Sequence, residues 1–422
     1  VAARERPGPT VTLDQARTQL LAALRPLAPR AVPLDEALGC VLASPVVAAE
    51  DVPPFANAAM DGYALRAEDA AVAPARLRLA GAVTAGTVAD VALQAGEAIA
   101  ITTGAPLPKG ADAVCMVECT RAEGDGVVIE EAVAPGENIR WPGEDVARGS
   151  LLFEKRTVVG PAHVGVLASV GVTEVSVFPR PRVGVLSTGS ELVEGGGPLR
   201  PGQIHDSNRH SLLALARSAG CEVVDLGLVA DDEGSIAQAV ERGAGRCDAI
   251  LTSGGVSVGV ADHMKTVLGR LAGGSVHWME VLIRPAKPFG FAILTGSGLP
   301  VLCMPGNPVS AMVSFELLAR PALRLMGGHA VLERPALLAR TEEPLLRRSD
   351  GKLHLVRVVA RADAEGRLHV RPSGGEGSHL LHMMALANAL ALVPDGEGVG
   401  ADEEVRVLLL DAEELMAGEV TP

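Results

Sequence analysis

Carboxylates and hydroxyls beside glycine-rich turns recur along this chain of 422 residues. The stretch Cys247–Lys265, CDAILTSGGVSVGVADHMK, is the densest example. Its loop, Ser253-Gly254-Gly255 through Ser257 and Gly259, can bring backbone N–H groups close to an anion, because glycines leave the backbone uncovered. The spacing is neither G-x-G-x-x-G nor G-x-x-x-x-G-K-[ST], which argues against a dinucleotide fold or a P-loop nucleotidase. On spacing alone a structural turn fits as well as a phosphate site.

Four other polar segments have the same texture. They are Ser187-Thr188-Gly189-Ser190-Glu191, Asp206-Ser207-Asn208, Asp231-Asp232 and Pro305-Gly306-Asn307-Pro308, with Asp262 just beyond the Ser253–Gly259 loop. Each Asp or Ser could simply cap a helix, and Asn307 is placed to cap one that starts at Pro308. Taken together, acids beside amide-rich loops suit Mg²⁺, which prefers a few carboxylates plus water and substrate oxygens. Arg284 and Lys287, in IRPAKPFGF, could hold an anion on a proline-fixed turn. Earlier, PPFANAAMDGYALR contains Asp61, and Thr103 and Asp145 lie in further polar loops. Nothing in the spacing connects these three with the later segments.

These side chains need elements to hold them. Between residues 181 and 328 short apolar runs alternate with helical patterns, the signature of a three-layer α/β domain with a mostly parallel sheet. Strands are expected at Arg182–Ser187, Glu222–Gly227, Asp248–Thr252 and Val301–Met304. Helices are expected at Asn208–Ala219, Glu233–Arg242, Asp262–Leu271 and Pro308–Met326. The candidate loops follow the strands, so a parallel sheet would gather them at one edge. Residues 46–147 read as an inserted, mostly β module, and residues 329–422 as a small β-barrel. Thr12 and Gln15 form a capping box ahead of a helix that Pro26 ends. A second helix is expected at Asp35–Leu42 and a third at Pro161–Val172, so that 1–45 and 148–180 form one discontinuous helical domain.

Composition narrows the function. The net charge is −14 with no long basic run, against general nucleic-acid or membrane-surface binding. Aromatics are 2% of the chain, so Val, Leu and Ala must fill the cores. Six scattered cysteines fit a reduced cytoplasmic protein, and the lone C-x-x-x-C of Cys115 and Cys119 reads as filler rather than zinc. No signal peptide or membrane-spanning run is expected.

The ordered stretches PPFANAAMDGYALR, TTGAPLPKGADAV, GENIRWPGEDV, GVLSTGSEL, DSNR, LTSGGVSVG, IRPAKPF, MPGNPVSA and GSHLLHMMALANAL resemble the molybdopterin molybdenumtransferase family (MoeA), which includes the E domain of gephyrin. The resemblance implies a helical dimerisation domain, an inserted β domain, a molybdopterin-binding α/β domain and a β-barrel. It implies a cytoplasmic enzyme that joins molybdate to adenylylated molybdopterin with Mg²⁺ and releases AMP. Asp61, Thr103, Asp145, Glu191, Asp231 and Asp262 carry over as active-site residues, with Glu191, Asp231 and Asp262 as metal ligands. Ser253, Gly254, Gly255, Ser257 and Gly259 would cradle the substrate phosphates, with Arg284, Lys287, Pro305, Asn307 and Pro308 beside them. The implied assembly is a homodimer with composite sites, and a molybdopterin adenylyltransferase is an implied partner. The competing readings are an adenylyltransferase and a gephyrin-like scaffold. Val260 and Glu280 depart from the family pattern, which usually has an acid at the first position and Lys, His or Gly at the second.

Overall fold

The computed structural model describes residues 8–88, 92–254, 263–411 and 415. Gly255, Ser257, Gly259, Val260 and Asp262 therefore lie outside the described residues. The chain divides into two compact units, one of residues 31–38 and 42–176, the other of residues 1–30, 39–41 and 177–422.

The larger unit is built on a seven-stranded sheet. Arg182–Thr188 sits between Glu222–Val229 and Ala249–Ser253, and Ala249–Ser253 pairs in turn with Pro300–Met304, all in parallel. Ala249–Ser253 and Pro300–Met304 are buried at every position, as expected of strands covered on both faces. Two strands absent from the sequence reading extend the sheet. Pro288–Ile293 runs antiparallel to Pro300–Met304, and Val276–Val281 runs antiparallel to Pro288–Ile293. Thr10–Val11 adds a short parallel edge.

Helices Asn208–Ser218, Glu233–Ala244 and His263–Leu271 bury Leu212, Ile236 and Met264 against this sheet. The sheet core holds Phe289, Phe291 and Phe315, three of the six phenylalanines and all fully buried. Each such side chain contributes about 1.5–3 kcal/mol by leaving water. The helix expected over Pro308–Met326 is not regular. An α-helix at Pro308–Ser314 passes into a π-helical turn at Phe315–Ala319 before Arg320–Met326 resumes α geometry.

The C-terminal part of this unit closes a five-stranded barrel. Leu353–Ala362 pairs with Leu368–Pro372 on one side and with Ala389–Val393 on the other. Ala336–Thr341 and Glu404–Leu409 complete the ring. Val358, Val370, Ala391 and Val407 fill it.

The smaller unit carries a six-stranded sheet in the order Thr120–Glu123, Gly126–Ile129, Ala75–Val83, Glu97–Ile101, Gly62–Leu65, Ala113–Met116. The expected helix at Asp35–Leu42 is not formed. Only a 3₁₀ turn at Leu34–Glu36 appears, Gly39 takes φ +77°, and Val41–Leu42 is a strand. The left-handed glycine stops helical geometry after this single 3₁₀ turn. The helix near residue 161 spans Pro161–Ser169, with Pro at its first turn.

Candidate functional site

In the larger unit the loops after the parallel strands open onto a cleft of about 620 Å³. Thr188, Glu191, Asp206, Asn208, Ser253, Gly254, Pro305, Asn307 and Pro308 are among its walls. This is the edge at which open α/β sheets bind ligands. The floor is a set of mutually fixed polar groups. The Asn208 amide nitrogen donates to Ser253 Oγ and to the Gly306 carbonyl, both at 2.7 Å. Ser187 Oγ donates to Asp206 Oδ1 at 3.0 Å. Asp206 is 5% exposed and also takes the Arg209 Nε at 3.0 Å. Arg209, 3% exposed, further donates to Asp225 and to Glu194. Burial works against this guanidinium's charge, but the Asp225 and Asp206 hydrogen bonds outweigh it and raise its pKa.

Gly254 must be glycine. Its φ is +90°, and a Cβ would stand 2.6 Å from the Thr188 carbonyl oxygen. The adjacent acids Asp231 and Asp232 have separate tasks. Asp232 caps the Glu233 helix by accepting the Ser235 N–H at 2.9 Å, and that bond is the main reason its pKa is lowered. Asp231 instead accepts the Thr188 hydroxyl at 3.1 Å, beside the cleft. The exposed Glu191 carboxylate lies over Gly189, 2.9 Å from where a Cβ would be. Asn307 occupies the expected cap position, but its side chain makes no capping bond and is left to the cleft.

Arg284 and Lys287 are not among the described residues of the cleft wall. Lys287 Nζ pairs with Glu280 at 2.8 Å, so the unexpected acid neutralises the expected cation. Arg284 stands 4.0 Å from Asp350 and lines a separate, water-sized depression of about 20 Å³ with His354, Arg357 and Glu376. Arg357 is 4% exposed there. It donates to the Gly377 and Gly375 carbonyls and leaves its buried Nε without a partner. Burial pushes its pKa down, with Glu376 opposing.

In the smaller unit the structure brings Asp61 and Thr103 together. The Thr103 N–H and hydroxyl both donate to Asp61 Oδ1, at 2.6 and 2.8 Å. The backbone bond first, then the hydroxyl, lowers the Asp61 pKa. The strand that follows starts at Gly62, where a Cβ would fall 1.9 Å from the Cys115 carbonyl oxygen. Asp145 is exposed in a loop pinned by its own N–H to the Val52 carbonyl at 3.0 Å.

Hard oxygen donors at Glu191 and Asp231 match the chemistry of Mg²⁺, which needs only one or two carboxylates when water and substrate oxygens complete its shell. Among the described residues no group of three His, Cys, Asp or Glu side chains gathers as a metal cage. Sequence reasoning missed Ser310 and His379, both in the cleft wall. The signal for His379 was available in the GSHLLHMM stretch.

Three family models match the chain in order. They are the MoeA N-terminal region (domain I and II) over residues 11–171, a probable molybdopterin binding domain over 184–325, and the MoeA C-terminal region (domain IV) over 345–410. A molybdopterin molybdenumtransferase of Haemophilus influenzae is 37% identical over 400 residues, covering 94% of this chain and 98% of that protein. The chain belongs to the MoeA family. Molybdopterin molybdenumtransferase 2 of Mycobacterium tuberculosis is 39% identical over 389 residues, covering 89% of this chain and 93% of that one. The crystal structure of a molybdopterin biosynthesis MoeA protein from Pyrococcus horikoshii superposes with a TM-score of 0.77 at 31% identity, covering 95% of this chain and all of that one. The fold is that of this family, with its α/β layer and C-terminal barrel. Among the described residues no helix is long and apolar enough to cross a membrane.

Proposed function

We propose that this chain is a molybdopterin molybdenumtransferase, which transfers molybdenum from molybdate to adenylylated molybdopterin and releases AMP. The observation that carries this reading is the cleft at the carboxyl edge of the parallel sheet, where Gly254, Ser253 and Asn208 interlock beside the carboxylates Glu191 and Asp231. Ser253 and Gly254, with Gly255, Ser257 and Gly259 beyond them, would hold the substrate phosphates. Pro305, Asn307 and Pro308 also line the cleft. Glu191 and Asp231, with Asp262, would hold Mg²⁺, and when bound the ion would offset the negative charge of the pyrophosphate. Thr188 aims the Asp231 carboxylate by donating to Oδ1, which leaves the other oxygen for the ion.

Molybdate would sit beside Arg284, whose exposed guanidinium can meet an oxyanion at the mouth of the depression, which is itself water-sized. Lys287 adds no net charge there while Glu280 holds it.

The acids of the smaller unit, Asp61 and Asp145 with Thr103, complete the active site in a homodimer, each subunit lending them to its mate. They are solvent-facing and locally braced, as groups awaiting a partner surface would be. The substrate's chemistry requires a preceding adenylylation, so a molybdopterin adenylyltransferase is the natural supplier. None of the six cysteines is in a disulfide, which fits a cytoplasmic location. Purified protein given adenylylated molybdopterin, Mg²⁺ and molybdate should release AMP at a rate that depends on all three. AMP release that ignores molybdate would exclude the transferase reading.

A further inference from the structure

Asn208 opens the first helix of the α/β layer and is 9% exposed at the cleft. Its amide orientation is decided by its neighbours. The Gly306 carbonyl 2.7 Å away can only accept, so the nitrogen must face it. Ser253 Oγ, also at 2.7 Å, takes the second amide proton. Both donors are thus used inside the protein, and Oδ1 is left buried without a hydrogen bond. A buried acceptor without a donor costs about 1–3 kcal/mol. Such a group in a cleft is matched by a ligand that donates.

We propose that Asn208 is a specificity-determining residue, whose Oδ1 accepts a hydrogen bond from the exocyclic 2-amino group of a pterin. The inference rests on the reading of this cleft as the pterin site and adds which part of the ligand faces its floor. Phosphate oxygens only accept, so Oδ1 repels them; they are met instead by donors such as the Ser253 hydroxyl, whose own proton Asn208 does not use. A ring N–H lies flush with the ring edge, whereas the amino group projects beyond it. Only a projecting donor reaches an oxygen recessed below the cleft surface. The Ser253 and Gly306 bonds hold the amide in place before the ligand arrives, so its orientation costs little on binding. A ligand with a carbonyl in place of that amino group would set two acceptors against each other, which is the strong form of discrimination.

The test uses 6-hydroxymethylpterin and 6-hydroxymethyl-lumazine, which differ by a 2-amino group against a 2-oxo group of nearly equal size. Isothermal titration of the full chain should show the pterin binding at least ten times more tightly than the lumazine. In Asn208→Ala the ratio should fall below about three. If that variant fails to fold by circular dichroism, Asn208→Ser keeps a donor for Gly306 and should show the same loss of preference. Equal binding of the two pteridines by the wild-type chain, or full preference retained in a folded variant, would overturn the proposal. Failure of the underlying reading looks different. A wild-type chain that releases AMP but does not discriminate removes only the role of Asn208. One that binds neither pteridine and releases no AMP removes both.

Discussion

The two polar regions of this chain are held by opposite means. In the larger unit Asp206 and Arg209 are nearly inaccessible, and they are fixed by other polar side chains. In the smaller unit Asp61, Thr103 and Asp145 face solvent and are held by backbone hydrogen bonds of neighbouring loops. Burial makes the first region rigid but costly to disturb, because removing one partner leaves the other charged in a poor solvent. Exposure makes the second cheap to alter for folding, so its residues can be judged by activity alone. The contrast also bears on assembly. A rigid cleft can bind ligand by itself, whereas exposed acids gain strength only when another surface excludes water from them.

The sharpest way to break this comparison is to inactivate each region in a separate subunit. Asp61→Ala and Asp231→Ala should each lose more than about a hundredfold of AMP release, the scale of a removed electrostatic contribution. If sites are shared across a two-fold axis, random subunit exchange should restore about a quarter of wild-type activity, since half the dimers carry one intact site of two. No recovery after exchange verified by native mass spectrometry would place each whole site within one chain.

The next effect is on folding. Asp206→Ala should destabilise the larger unit by about 3–5 kcal/mol, measured by urea denaturation, because it strips a hydrogen-bonded partner from buried Arg209. Asp225 and Glu194 remain as partners and hold the loss toward the lower end. An effect below about 1 kcal/mol would mean that water replaces Asp206 and that the network is not dry.

A pair of glycines separates folding from binding. Gly62→Ala should cost about 3 kcal/mol of stability, since the new methyl meets a backbone carbonyl inside a sheet. Gly254→Ala should cost about 1–2 kcal/mol from its left-handed backbone, yet weaken binding of adenylylated molybdopterin tenfold or more by shifting the loop away from Thr188. Titration calorimetry showing unaltered affinity for adenylylated molybdopterin in Gly254→Ala would make that loop a turn and nothing more.

How much of this was legible in the sequence follows from what each element needs. The parallel strands were readable because burial on both faces demands unbroken apolar runs, as in AILTS and PVLCM. The antiparallel extension was not. Val276–Val281 mixes Val, His, Trp and Glu, and Pro288–Ile293 was read only as the end of a turn. The false helix at Asp35–Leu42 had helical spacing of Leu38, Val41 and Leu42, but φ at Gly39 is a tertiary outcome that spacing does not reveal. Candidate residues were legible as segments, while roles were not. Nothing in the dipeptide Asp231-Asp232 says that the second caps a helix and the first turns to Thr188. Likewise the cations of IRPAKPF were visible, but Glu280 as the partner of Lys287 depends on two antiparallel strands lying side by side.

The smallest expected effect probes how the exposed region is held. Two donors from Thr103 lower the Asp61 pKa from its ordinary 3.8, and the backbone N–H is the larger influence. Thr103→Val removes the hydroxyl and keeps the N–H in nearly the same volume. The Asp61 pKa should therefore rise part of the way and stay below 3.8. The sign for stability follows from linkage. A carboxylate with a lowered folded-state pKa favours folding above its unfolded pKa, and that contribution is lost as pH falls through the folded value. The variant should accordingly fall slightly below wild type in thermal midpoint at pH 7, and the gap should narrow between pH 4 and pH 2. Carboxyl carbon NMR, following Asp61 through a pH titration, reads the shift directly. An unchanged pKa would mean that the hydroxyl bond does nothing for the charge. A return to 3.8 would mean that the hydroxyl, not the backbone, braces Asp61, and that the exposed region is held by side chains as the buried one is.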